Sequence, residues 1–126
     1  MGLNLKTIKE ILHAEVITGH HQLNTEIEAG AGSDLMSDLL TGQNSNTVLL
    51  TGLCNAQVIR TAVIAGVMAI VFVRKKRPTP DVIELADNHE IPLLTTPFTM
   101  FSSCGRLFAK GLRGVEGRDV KITKAP

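Results

Sequence analysis

The chain has 126 residues, 44% of them hydrophobic and 20% charged, with a formal net charge of +1. That length suits one domain of roughly 100–150 residues with a buried core, and the composition is far from the polar, highly charged mix of disordered chains. Near-neutrality excludes a whole-molecule field that would draw the chain onto nucleic acid or an anionic membrane, and four phenylalanines without Trp or Tyr offer few stacking platforms for bases.

Leu5, Ile8, Ile11 and Leu12 recur at helical spacing behind Asn4, a good N-cap, and predict a short amphipathic first helix. This opening lacks the apolar run and cleavage site of a secretory signal, so a cytoplasmic location is expected. Residues 15–18 and 25–28 read as short strands flanking a polar turn with Gly19, His20 and His21. Adjacent histidines on extended chain point to opposite sides and no second Cys/His cluster follows, so no metal site is expected there.

Residues 29–32, Ala-Gly-Ala-Gly, read as a glycine-rich loop that runs into Ser33 as the N-cap of a helix ending at Gly42, with Asp34 in its first turn. The polar stretch 43–46 then leads to Thr47-Val-Leu-Leu-Thr51, an unbroken apolar run typical of a strand covered on both faces. A helix over 55–65 closed by Gly66 and a buried strand over 68–73 follow. The apolar stretch 63–73 falls short of the about 20 residues that span a bilayer and is interrupted by Gly66, so it reads as core and not as membrane. Thr79-Pro80 predicts a capped helix start, with Val82, Ile83, Leu85 and Ala86 carrying it to about Asn88. A third buried strand covers 91–95, with Pro92 at its start where no ladder donor is needed. The last helix runs over 99–110 and stops at Gly111. Alternating strands and helices over short loops imply right-handed crossovers, hence a three-layer α/β/α fold with a mainly parallel sheet. Residues 1–112 form the expected domain, and residues 113–126 a loosely ordered tail in which Val120 and Ile122 could make an edge strand.

Ligands of open parallel sheets sit outside the carboxyl ends of the strands, where loops and helix N-termini present free N–H groups. That rule selects as ligand-binding candidates Gly30, Gly32, Ser33, Thr51, Gly52, Asn55, Gln57, Arg74, Lys75, Thr95, Thr96 and Thr99. Gly30 to Ser33 could cradle an anion, but the segment lacks the lysine of a P-loop and the third glycine of a dinucleotide fingerprint; a plain turn and helix cap is the simpler reading. Asp34 and Asp38, four residues apart on one helix face, could bind a cation or act as an acid/base pair, yet no third carboxylate or histidine stands near them. Arg74-Lys-Lys-Arg77 directly follows a buried strand and either meets phosphates or forms a solvated turn. Cys54 at a helix N-terminus would have a lowered thiol pKa, but no base can be assigned to it, while Cys104 reads as a packed core thiol. No catalytic residue, metal or cofactor is assigned.

The sequence GAGSDLMSDLL, the strand-Thr-Gly-loop-helix over 47–65, the strand-loop-Pro-helix over 68–88 and the run IPLLTTPFTMF together resemble the DRTGG family, over roughly residues 5 to 112. The resemblance implies a domain similar to the N-terminal domain of the HPr serine kinase/phosphorylase, without the kinase P-loop. It also implies relatives inserted between regulatory domains of certain pyrophosphatases or placed before acetyltransferase-type enzymes, associated with dimerisation and regulation, and stand-alone copies beside hydrogenase and electron-transfer genes. The namesake Asp-Arg is replaced here by Cys54-Asn55 and the later Thr-Gly-Gly by Arg74, Lys75 and Lys76. A ligand held by those residues in relatives would meet different side chains here.

The expected function is a non-catalytic regulatory or assembly domain, homodimeric, that senses a small anionic metabolite or nucleotide. One alternative is an interaction protein whose basic loop docks an acidic redox partner of the hydrogenase type; another is a phosphoryl- or acyl-transfer enzyme using Asp34, Asp38 or Cys54. A homodimer is expected because buried parallel strands need both faces covered and the chain supplies only four or five short helices.

Overall fold

The structure, a computed structural model, describes residues 2–40 and 45–118. Asn4 accepts a hydrogen bond from the Thr7 amide at 2.8 Å and so caps helix α1 (Leu5–Ile11), which follows the two-residue strand β1 (Leu3–Asn4). Strand β2 (Glu15–Thr18) comes next, then a 3₁₀ turn over His20–Gln22 and strand β3 (Glu26–Ile27). The two short strands expected from the sequence do not pair with each other: β3 pairs antiparallel with β1, and β2 joins the main sheet antiparallel to its far strand.

The main sheet is built from β4 (Ala29–Gly32), β5 (Thr47–Thr51), β6 (Ala69–Phe72), β7 (Leu93–Thr95) and β8 (Arg113–Gly114), all mutually parallel, with β2 at the edge in the order β2-β7-β6-β5-β4-β8. The connections carry helices α2 (Met36–Leu39), α3 (Ala56–Ala65), α4 (Pro80–Asn88) and α5 (Met100–Ala109). Period-two alternation sorts the strand residues between two layers. Leu49, Ile70, Phe72 and Leu93 pack with Val58, Ile59, Ala62, Val82 and Ala86 of α3 and α4, while Val48, Leu50, Val71 and Leu94 pack with Leu5 and Ile8 of α1, Leu12 at its C-cap and Leu107 of α5. This is the three-layer α/β fold expected from the sequence, and β5, β6 and β7 are buried along their whole length. Both faces of those strands are therefore covered within one chain, and an uncovered sheet gives no reason for a dimer.

Several boundaries follow from local chemistry. Asn55 caps α3 by accepting from the Val58 amide at 3.1 Å, and Gly66 ends it in the left-handed region at φ 83°. Thr99 caps α5 by accepting from the Ser102 amide at 3.3 Å. Pro80 sits at the first turn of α4, but the Thr79 hydroxyl donates to the Asp81 carboxylate and leaves the cap amides alone. That bond, followed by backbone amides, holds the Asp81 carboxyl below its usual range.

Other expectations need correction. Ala29–Gly32 is a strand and not a loop, because Gly30 and Gly32 lie directly beneath the α5 layer. A Cβ on Gly32 would stand 2.8 Å from Cys104 Sγ, and one on Gly30 3.1 Å from Leu112 Cδ2. Ser33 does not cap a helix: α2 starts at Met36 with Leu35 as its N-cap, and the Ser33 hydroxyl accepts from the Leu35 amide within the turn before it. Asp34 thus lies outside α2, not on one helix face with Asp38. The sheet also extends beyond residue 112, since Arg113 and Gly114 pair with Ala29 and Gly30, and Val115–Arg118 form a 3₁₀ turn. Gly42, which was expected to end a helix, and Val120 and Ile122 lie outside the described residues.

Candidate functional site

The carboxyl ends of β4, β5, β6 and β7 open onto one rim. At its centre Asp34 reaches across to the end of β5, where its Oδ1 accepts from the Thr51 hydroxyl and from the Gly52 amide, each at 2.8 Å. The Thr51 oxygen in turn accepts from the Leu53 amide at 3.2 Å. Lys76 comes from the β6–α4 loop to the same spot. A Cβ placed on Gly52 would stand 3.5 Å from Lys76 Nζ and 3.6 Å from Asp34 Oδ2. The ammonium and the carboxylate thus flank Gly52 at ordinary contact distance from where a Cβ would stand.

The loop that delivers Lys76 is a tight turn, with Arg74 and Lys75 both in the left-handed region at φ 59° and 61° and the Lys76 amide returning to the Val73 carbonyl at 3.2 Å. Non-glycine residues adopt that conformation at a cost of about 1–2 kcal/mol each, so surrounding bonds must hold it. They do: the Arg74 amide donates to the Phe98 carbonyl, the Lys75 amide to the Thr96 carbonyl, and the Thr95 hydroxyl to the Lys76 carbonyl at 2.7 Å. Thr96 in turn donates its buried hydroxyl to the Leu12 carbonyl at 2.6 Å. Phe98 is packed between the His13 ring, 5.2 Å away, and the Arg106 guanidinium, 3.9 Å from its centroid. The basic loop is thereby keyed to α1 and α5.

Among the predicted site residues, Thr51 and Gly52 stand at the centre of this rim. Asn55 is committed to its cap, and Gln57 is exposed on the first turn of α3. Arg74 and Lys75 shape the turn with their side chains exposed; Thr95 and Thr96 brace it through their hydroxyls and offer none to a ligand. Thr99 caps α5. Gly30 and Gly32 are strand residues, and the Ser33 amide is spent on the Leu50 carbonyl at 3.0 Å, so the expected anion cradle at 30–33 is not formed. The residues that reasoning from sequence missed are Asp34 in its actual role and Lys76. The signal for Lys76 was the basic run itself, but only the turn geometry selects that cation from its neighbours.

Cys54 is half-buried beside the rim. Burial pushes its thiol above the usual range, and the Lys76 ammonium offsets part of that rise, so the lowering expected from a helix N-terminus does not occur. Burial likewise raises the Cys104 thiol. Cys104 lines a separate cavity of about 190 Å³ between α5, β4 and β8, together with Gly32, Leu50, Leu107, Phe108 and Leu112. Among the described residues no group of three or more His, Cys, Asp or Glu side chains is placed to hold a metal ion, and no helix is long and apolar enough to cross a membrane.

The DRTGG domain family matches residues 7–108. The chain belongs to that family. No curated protein matches it. Among solved structures, the DRTGG domain described here is similar to the CBS and DRTGG domains of the regulatory region of Clostridium perfringens pyrophosphatase, complexed with the activator diadenosine tetraphosphate. The TM-score is 0.69 at 20% identity, over 87% of this chain and 47% of that one. The DRTGG domain thus spans about half of the chain it resembles, and at that identity the likeness is one of fold. Lys75 occupies a backbone position with positive φ, a conformation that glycine adopts at no steric cost.

Proposed function

We propose that this DRTGG domain is a non-catalytic regulatory module of the cytoplasm that senses a small anionic ligand of the nucleotide class at the rim between β5 and β6. The observation that carries this reading is that the Gly52 amide and the Thr51 hydroxyl converge on one anionic oxygen, the chain's own Asp34 Oδ1, beside the Lys76 ammonium and a turn whose strain is held by a bonded loop. Hydroxyl, backbone amide and ammonium are the donor types that phosphates use. The solved regulatory region, about half of which shares this fold and which also contains CBS domains, was complexed with a dinucleoside polyphosphate, which supports the ligand class. The raised Cys54 thiol speaks against a thiolate nucleophile and hence against acyl transfer through that residue.

A thermal-shift series with ATP, diadenosine tetraphosphate and inorganic pyrophosphate tests this reading. A ligand at 100 times its dissociation constant stabilises by about 2.7 kcal/mol, and Lys76→Ala should remove most of the shift. A flat response to all three compounds would refute ligand sensing at the rim.

We also infer that the domain pairs as a homodimer through α5. Phe101 is 88% and Phe108 59% exposed, seven residues apart on one helix face with Gly105 between them, an apolar stripe of the kind that interfaces cover. Light scattering is expected to give twice the chain mass, and Phe101→Lys to return it to one. A monomer at high concentration would disprove the pairing.

A further inference from the structure

The rim donors are not free. Every bond that a ligand anion would make at the end of β5 is already made, in this chain, by a carboxylate of its own: Asp34 Oδ1 takes both the Thr51 hydroxyl and the Gly52 amide, while Oδ2 borders the space that Lys76 Nζ faces. We propose that Asp34 is an internal competitor for the anion site, so that a ligand binds by displacing it and thereby loosens the turn that leads into α2. This rests on the rim reading above and adds its regulation.

Asp34 is well placed for such a role. It is exposed, it stands outside any helix, and it belongs to a turn held on one side by the Ser33 amide on the Leu50 carbonyl and on the other by the Ser33 hydroxyl accepting from Leu35. The side chain can therefore swing away from β5 without breaking a strand or a helix. α2 is a single turn with one fully buried anchor, Leu39, and it is flanked by Leu35 and Leu40, which are 60% and 54% exposed. Release of Asp34 removes the side-chain link between this segment and the end of β5 while the Ser33 amide stays on the Leu50 carbonyl, and an anion bound to the donors would repel the freed carboxylate. Ligand occupancy at the rim is thereby converted into a change of position on the α2–α3 face. A structural carboxylate that only braced the loop would share the present hydrogen bonds, but removing it would not improve anion binding.

The test is titration calorimetry of the full chain with inorganic pyrophosphate and with ATP at fixed ionic strength, comparing the wild type with Asp34→Ala and Asp34→Asn, each verified as folded by circular dichroism. Asp34→Ala empties the donors and is expected to bind about tenfold more tightly or better, equivalent to about 1.4 kcal/mol. Asp34→Asn keeps an acceptor oxygen on Thr51 and Gly52 and should gain less. Equal or weaker binding by Asp34→Ala, with the wild type still binding, overturns the competitor while leaving the rim site standing. An Asn variant that gains as much as the Ala variant also overturns it, since charge repulsion alone would then account for the effect. Absence of binding by all three proteins refutes the rim site itself, and the competitor with it.

Discussion

Replacing Phe72 by alanine is expected to cost about 3–5 kcal/mol, the range for deleting a buried aromatic side chain, out of a total stability of about 5–15 kcal/mol for a domain. Phe72 is fully buried and is the largest such side chain among the described residues. It ends the central strand β6, with β5 on one side and β7 on the other, and points into the layer formed by α3 and α4 with Leu49, Ile59, Val82 and Leu93. Collapse cannot readily fill the space it would leave, because the strand backbones on both sides are fixed by parallel ladders and the Thr96 amide is bonded to the Phe72 carbonyl at 2.9 Å. The same residue lies at the base of the basic turn. Its loss should therefore loosen the rim as well as the core, lowering the urea midpoint and also the ligand-induced thermal shift. A loss below about 1 kcal/mol, within the range of exposed substitutions, would mean that the two-layer packing is wrong.

What the sequence made legible is what depends on neighbours a few residues apart. The caps of α1, α3 and α5 at Asn4, Asn55 and Thr99 each involve an amide three residues on, and the unbroken apolar runs of β5, β6 and β7 carry their burial in composition alone. What it concealed depends on partners far along the chain. Gly30 and Gly32 look like a loop because the reason for their small size, α5 and Leu112 packed above them, lies about 70 or more residues away in sequence. Ser33-Asp34 has the form of a helix cap, and only the fold reveals that Asp34 is bonded to Thr51, 17 residues later. Thr96 reads in sequence as a ligand contact, yet its hydroxyl is bonded to the carbonyl of Leu12, 84 residues earlier. The rim was thus locatable from topology, while the identity of the groups free to bind there was not. A β-strand rule gives the edge of the sheet, but hydrogen-bond satisfaction decides which polar atoms on that edge are available.

A large effect of a single methyl group is expected at Gly19. This residue ends β2 in the left-handed region at φ 86°, is buried, and accepts on its carbonyl from the Gln22 amide at 2.9 Å. A Cβ there would stand 2.6 Å from Pro92 Cβ and 2.7 Å from Pro92 Cα. Pro92 has no easy retreat, since its ring is rigid and its carbonyl accepts from the Ile70 amide at 3.1 Å at the start of β7. Two independent penalties therefore add in Gly19→Ala: about 1–2 kcal/mol for a left-handed alanine and about 1–3 kcal/mol for overpacking. The other glycines supply the controls. Gly111 also has positive φ, at 103°, but nothing lies within 4 Å of its added Cβ, so Gly111→Ala should carry the conformational penalty alone. Gly105 sits in α5 with open space around it, and Gly105→Ala should stabilise by about 0.5–1 kcal/mol because alanine favours the helix. Urea denaturation of the three variants should rank them with Gly19→Ala lowest, Gly111→Ala between and Gly105→Ala above the wild type. If Gly19→Ala matches Gly111→Ala, the close approach of β2 to the start of β7 is absent, and the antiparallel edge strand is not held where its turn meets Pro92.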